Sequence, residues 1–204
     1  MHPLKRIFVL LAVVLIFSAA SHAAKKINGY YTKSPGGPRI NVTFLVPFPF
    51  LGSHPNYERM QSGIRYIDGP EKNRLLPQDA FEVSFLYNGT TVLFRSVYNN
   101  LSNNQMFLHV IVDGYVSLYH YYESHYSPGM YNPGTGISSG GGKQTAMRLV
   151  LQRDNGELFR IRRLFFKKDL IDFFSDCPTL LQRLHSSGIS DLPVIVNAYN
   201  KDCG

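Results

Sequence analysis

The sequence predicts an α+β domain: a mostly antiparallel β-sheet, drawn as an open barrel or a sandwich, followed by a short C-terminal helical segment. Three observations carry that expectation. The dipeptides Asn88-Gly89, Asp113-Gly114 and Asn155-Gly156 each stand between runs of strand-forming residues, the pattern of a hairpin with a tight turn. After Arg163 the apolar spacing changes from period two to the helical period. Charged residues are only 17% of the chain and aromatics 13%, which excludes a disordered tail, while two cysteines are too few for a disulfide-built miniprotein.

Residues 1–23 read as a secretory signal peptide. Lys5 and Arg6 precede an unbroken apolar run from Ile7 to Phe17, and Ser21-His22-Ala23 supplies small residues for cleavage before Ala24. That run is short for a membrane span, and no later stretch reaches the ~20 apolar residues a transmembrane helix needs. The expected product is exported to the periplasm or cell envelope, with no transmembrane span after signal removal.

The β domain is expected over 24–163. Arg39 to Val46 and Ser62 to Ile67 are its first strand candidates; Pro47-Phe48-Pro49-Phe50 breaks the first of them. Phe81 to Tyr87 pairs with Val92 to Tyr98 through Asn88-Gly89. Phe107 to Val112 pairs with Tyr115 to Tyr122 through Asp113-Gly114, and Thr145 to Arg153 with Leu158 to Arg162 through Asn155-Gly156. Between the second and third hairpins, 127–142 is rich in glycine and proline and reads as a flexible loop. The helical segment is expected over 164–204. Leu170, Ile171, Phe173 and Phe174 share one helical face, and Pro178 suits the first turn of a second helix carrying Leu180, Leu181 and Leu184. Ser190 is positioned to cap a third, with Pro193 in its first turn.

Cys177 and Cys203 form the only cysteine pair, in a chain bound for an oxidising compartment. A disulfide closing the last two helices is the expected state; two free thiols, or half of a metal site, are the competing ones.

Several stretches carry a resemblance. They are Gly29-Tyr30-Tyr31, Leu76-Pro77-Gln78-Asp79, the run from Phe107 to Tyr119, the Phe173 to Pro178 segment, and Tyr199-Asn200-Lys201-Asp202-Cys203. With them the chain resembles a group of uncharacterised signal-peptide-bearing exported proteins of Bacteroidota with a C-terminal two-cysteine helical segment. It departs at Ser34-Pro35-Gly36-Gly37, where that group tends to have Gly-Asp-Thr. The resemblance implies export and pairing of the cysteines, and it implies no catalytic residue.

Gly136-Ile137-Ser138-Ser139-Gly140 spells the letters of a nucleophile elbow, but no buried strand precedes it and no helix follows, so Asp172, Asp176 and His185 complete a triad only formally. Gly140-Gly141-Gly142-Lys143 lacks both the first glycine and the magnesium-holding hydroxyl of a phosphate loop. His109, Glu123 and His125 are the only metal-ligand candidates, and packing is the commoner role for such residues on strands. Tyr119, Tyr121, Tyr122 and Tyr126 are a candidate ligand platform, because tyrosine combines contact area with a polar tip.

A formal charge of +7 invites nucleic acid. The stretch from Lys143 to Lys168, however, holds eight basic and two acidic residues, which localises the excess to one patch including Arg160, Arg162, Arg163, Lys167 and Lys168. On an exported domain that patch suits an envelope protein, a glycan or an anionic surface better than nucleic acid. No cofactor is indicated. The expected function is a non-catalytic binding or structural module, with an envelope hydrolase whose site is not located as the alternative.

Overall fold

The computed structural model describes residues 24–49, 52–186 and 191–204. The signal segment, the stop at Ser187-Gly188 and the Ser190 cap lie outside the described residues. One ten-stranded antiparallel sheet dominates, in the order β12-β11-β8-β7-β6-β5-β1-β2-β3-β4, with a separate two-stranded hairpin of β9 and β10. The strands are β1 (Ala24–Thr32), β2 (Ile40–Pro47), β3 (Ile64–Asp68), β4 (Glu71–Leu75), β5 (Glu82–Tyr87), β6 (Thr90–Asn99), β7 (Asn104–Val112) and β8 (Val116–Ser127), then β9 (Met130–Asn132), β10 (Ile137–Ser139), β11 (Gly142–Arg153) and β12 (Phe159–Arg160). The described residues also form four short α-helices: α1 (Tyr57–Met60), α2 (Phe166–Phe173), α3 (Pro178–Ser186) and α4 (Leu192–Asp202). Three of them follow the sheet, so α+β describes the fold only loosely.

The sheet is open and single, not two stacked layers, but it curls. β2 and β8 are five strand spacings apart, roughly 24 Å in a flat sheet at the usual ~4.8 Å interval. Yet α1, hung on the end of β2, reaches β8 and β11: Glu58 accepts from Ser124 at 2.7 Å and from Thr145 at 2.9 Å, and it pairs with Lys143. The strands must therefore wrap around what lies between them. That filling is an aromatic cluster of Phe44, Phe85, Phe94 and Phe107, with Tyr57 packed against it.

Alternation along the strands sorts the residues onto two faces. In the ladder running from β6 to β11, Phe94 opposes His109, His109 opposes His120, and His120 opposes Leu149. This face, called here the helix face, also carries Leu118 and Leu151. Against these pack Leu170, Phe174, Leu184, Ile195, Val196 and Tyr199 from α2, α3 and α4. The opposite face carries Leu108, Tyr119, Tyr121 and Val150, closed by Leu158 alone from the β11–β12 connection.

Of the three expected tight turns only the first has the expected form: neither Asp113 nor Gly114 takes a positive φ, and the β7–β8 pairing there shifts register between Val110 and Val112. Asn88 and Gly89 both take positive φ, 49° and 77°, as a two-residue hairpin turn demands. In the last hairpin Asp154 and Asn155 hold the positive angles instead of Asn155 and Gly156, and β12 is only two residues long. The 127–142 stretch is not structureless: β8 runs to Ser127, β11 starts at Gly142, and β9–β10 forms a small hairpin. Asn132 closes its turn by accepting from Gly134 and Gly136.

Side-chain amides complete the backbone ladder at three places. β7 and β8 part beyond the His109–His120 pair, and Gln61 fills the gap. Its carbonyl oxygen accepts from Tyr122 N–H at 2.6 Å and its Nε2 donates to the Tyr122 carbonyl at 2.9 Å, while the Gln61 backbone carbonyl takes Phe107 N–H. Asn200 of α4 grips both backbone groups of Val116 at 2.8 Å, and Asn100 grips those of Leu158. Each amide presents one donor and one acceptor, the same pair a neighbouring strand would offer.

Candidate functional site

Cys177 and Cys203 form a disulfide with Cα atoms 6.0 Å apart, joining the start of α3 to the end of α4. Asp176, beside it, accepts from Tyr199 Oη at 2.6 Å and from Arg153 at 3.0 Å. The Tyr199 hydroxyl, buried and bonded to that carboxylate, is pushed up to about 12.

The metal candidates do not converge. His109 lies on the helix face within an aromatic shell, its ring 4.7 Å from Tyr57, 5.4 Å from Phe94 and 5.5 Å from His120. Glu123 and His125 lie on the opposite face, where Glu123 is surrounded by Arg148, Arg160 and His125 at 3.2–3.3 Å. Burial raises the Glu123 carboxyl, but its hydrogen bonds to these partners and the nearby guanidinium charge outweigh it and hold the group below the usual range. Among the described residues no group of three or more His, Cys, Asp or Glu side chains has the spacing to hold a metal ion.

Burial beside His120 lowers His109 to about 4, and His109 Nδ1 has no hydrogen-bond partner among the described residues. The sign follows directly: the unfolded chain takes up this proton near pH 6.5, the folded one only near 4. Stability from this group is therefore full above about pH 6.5 and falls as pH drops through that window, by about 3 kcal/mol at its lower end. His109→Phe keeps an aromatic ring in the shell. In acid denaturation series it should lose stability less steeply than the parent between pH 6.5 and 4; parallel curves would contradict the assignment.

The four tyrosines are divided between faces. Tyr119 and Tyr121 are buried on the opposite face and Tyr122 is half-buried on the helix face beside Gln61, while Tyr126 is exposed near the far end of β8. They do not form a continuous platform, because adjacent strand residues point to opposite sides. Ser138 lies on the exposed β9–β10 hairpin, while Asp172 and Asp176 belong to the helical segment.

The basic patch is similarly dispersed. β12 ends at Arg160, so Arg162 does not share its strand face. Arg160 turns to Glu123, and Arg162 to Asp169, whose carboxylate also accepts Arg162 N–H at 2.8 Å. Lys168 pairs with Asp172 one turn along α2. Arg163 and Lys167 are exposed. The acidic residues of the helical segment, distant in the strand pattern but near in space, absorb much of the local excess.

A site that sequence reasoning misses lies on the opposite face. Two adjoining hollows of about 400 and 380 Å³ share Arg95, Gln152 and Asn155. Arg95 grips Asp113 with both terminal nitrogens, at 2.5 and 2.8 Å, and reaches Glu82 at 3.4 Å, but its buried Nε has no partner. Arg95 holds the Asp113 carboxyl below the ordinary range, and Asp113 in turn raises the guanidinium. Buried Gln152 accepts from Tyr119 Oη at 3.1 Å and donates to the Gly156 carbonyl at 2.8 Å. The first hollow is also lined by Tyr98, Asn100 and Gln105, the second by Phe81, Tyr115 and Ser117. Tyr98 and Tyr115 are both about half exposed, at 54% and 46%. The signal was present as single residues on β6, β8 and β11; only strand register brings them together.

Fold and groove together define an open, curled antiparallel β-sheet protein with a disulfide-tied helical end and a polar groove crossing one sheet face. No family model, no curated protein and no solved structure matches the chain. Among the described residues no helix is long and apolar enough to cross a membrane.

Proposed function

We propose that the protein is an exported, envelope-associated binding module, export being what its resemblance to the Bacteroidota group implies, and that the groove around Arg95 and Gln152 takes a neutral oligosaccharide. The observation that carries this reading is the lining. Amide side chains from Asn100, Gln105, Gln152 and Asn155 meet half-exposed Tyr98 and Tyr115 across the two connected hollows. Amides and hydroxyls match sugar hydroxyls in both donor and acceptor capacity, and tyrosine rings supply apolar contact with a polar tip. The lining sets three carboxylates, Glu82, Asp154 and Glu157, beside the one guanidinium of Arg95, which disfavours an anionic ligand. The Cys177–Cys203 bond agrees with passage through an oxidising compartment.

Calorimetric titration of the disulfide-bonded protein with a panel of neutral envelope oligosaccharides tests this reading. At least one should bind saturably, and Tyr98→Ala with Gln105→Ala should weaken it about tenfold, the weight of about 1.4 kcal/mol. Binding unaltered by both substitutions would move the site elsewhere.

A further inference from the structure

A second cleft, of about 400 Å³, opens between the α1–β3 connection and β4, apart from the groove just described. Its walls bring together Arg59, Arg65, Arg74 and Lys143 with a single carboxylate, Glu58. That carboxylate is already engaged by Lys143, Ser124 and Thr145. Burial raises the Glu58 carboxyl, but these partners outweigh it and hold the group below the usual range, so it stays ionised and committed to them. Among the described residues no carboxylate comes within ion-pair distance of Arg59, Arg65 or Arg74.

The decisive detail is register. Arg65 on β3 and Arg74 on β4 are direct cross-strand partners. Like charges placed opposite one another in an antiparallel pair destabilise it, so two unpaired arginines there work against the hairpin that holds them. Arg74 is nevertheless held in place. Its Nη2 donates to the Ser62 carbonyl at 3.0 Å and to Ser62 Oγ at 3.1 Å. The guanidinium lies over Gly63, where a Cβ would come within 2.7 Å of Arg74 Nε; Gly63 also sits at φ +142°, which disfavours any other residue. A fixed guanidinium without a carboxylate partner, opposite a second one, suits a tetrahedral oxyanion: Arg65 can offer its fork, and Arg74 the N–H groups that Ser62 does not take.

We propose that this cleft binds a phosphate group between Arg65 and Arg74, with Arg59 and Lys143 at its rim, the phosphate being free, part of a small soluble ester, or carried on a lipid headgroup. The cleft volume suits a ligand of headgroup size. The site is independent of the oligosaccharide reading, and either can fail alone.

The test uses the disulfide-bonded protein, with inorganic phosphate and glycerol phosphate followed by calorimetry and by thermal melting, and with flotation on vesicles containing phosphatidylglycerol. The variants are Arg65→Gln, Arg74→Gln and their double, with Arg163→Gln as an exposed control. Soluble phosphate should bind saturably and raise the parent melting temperature, with at least a tenfold loss of affinity in the double variant and no loss in the control. Vesicle flotation that requires both arginines, without any response to soluble phosphate, also supports the site and assigns it to a headgroup. Without ligand the double variant should melt no lower than the parent, because it removes a repulsion; this separates lost binding from lost folding. Absence of both phosphate and vesicle binding, or binding that the double variant retains, would overturn the proposal.

Discussion

Replacing Gln61 with leucine is expected to destabilise the protein by about 2–5 kcal/mol, a large effect for a residue outside the main sheet. Leucine approximates the size of glutamine but offers neither donor nor acceptor, so Tyr122 N–H and C=O, which face the gap between β7 and β8, lose their partners. Gln61 is only 7% exposed, so water does not readily replace it. Each stranded backbone group costs about 1–3 kcal/mol, more than the net worth of the bond it made. Because Gln61 also follows α1, the substitution should loosen the curl that brings Glu58 to β8. Urea unfolding of the parent and Gln61→Leu, compared at equal slope, measures the effect. A change below about 1 kcal/mol would mean that the gap is closed by other means.

Opening the disulfide is the second large effect. Cys177 and Cys203 are 26 residues apart, and a closure of that length stabilises by about 3–4 kcal/mol when treated as lost entropy of the unfolded chain. Cys177→Ala with Cys203→Ala, or full reduction, should lower the melting temperature by roughly 10 °C for a domain of this size. The unfolding should begin with α3 and α4, since those helices are short and lean on the bond as well as on the Leu118–Leu151 surface. Equal melting temperatures with and without reductant, under conditions where both thiols become labelled, would remove the disulfide from any stabilising role.

The sequence makes some of this visible and hides the rest for identifiable reasons. The three hairpins are legible because their strands bury alternate apolar side chains on either side of turn-forming residues, although only Asn88-Gly89 makes the turn its letters suggest. β1 is not, although it sits mid-sheet between β2 and β5: Ala24–Thr32 carries two lysines and an asparagine and is exposed over its first half. β4, Glu-Lys-Asn-Arg-Leu, reads as a loop because an edge strand with one buried residue has no apolar alternation to show. The helices are legible from period and proline placement, and the cysteine pairing from their isolation as a pair. The grooves are not legible, because Arg95, Gln152 and Tyr119 meet only through strand order. Likewise Arg65 and Arg74 become partners only once the β3–β4 register is known. The tyrosine run misleads for a simpler reason: consecutive strand residues cannot share a face.

The open ends of the sheet bear on how this protein behaves when crowded against copies of itself. β12 pairs with β11 only at Val150 and Leu151, so from Gly142 to Arg148 no strand lies outside β11 among the described residues. At the other end, among the described residues, β4 is equally uncovered. Such edges recruit further strands and seed aggregates unless something interrupts them. Here Lys143 and Arg148 stand on one edge, and Glu71, Lys72 and Arg74 on the other. The charges that obscure these strands in the sequence thus equip both edges to resist the growth of a β-stack.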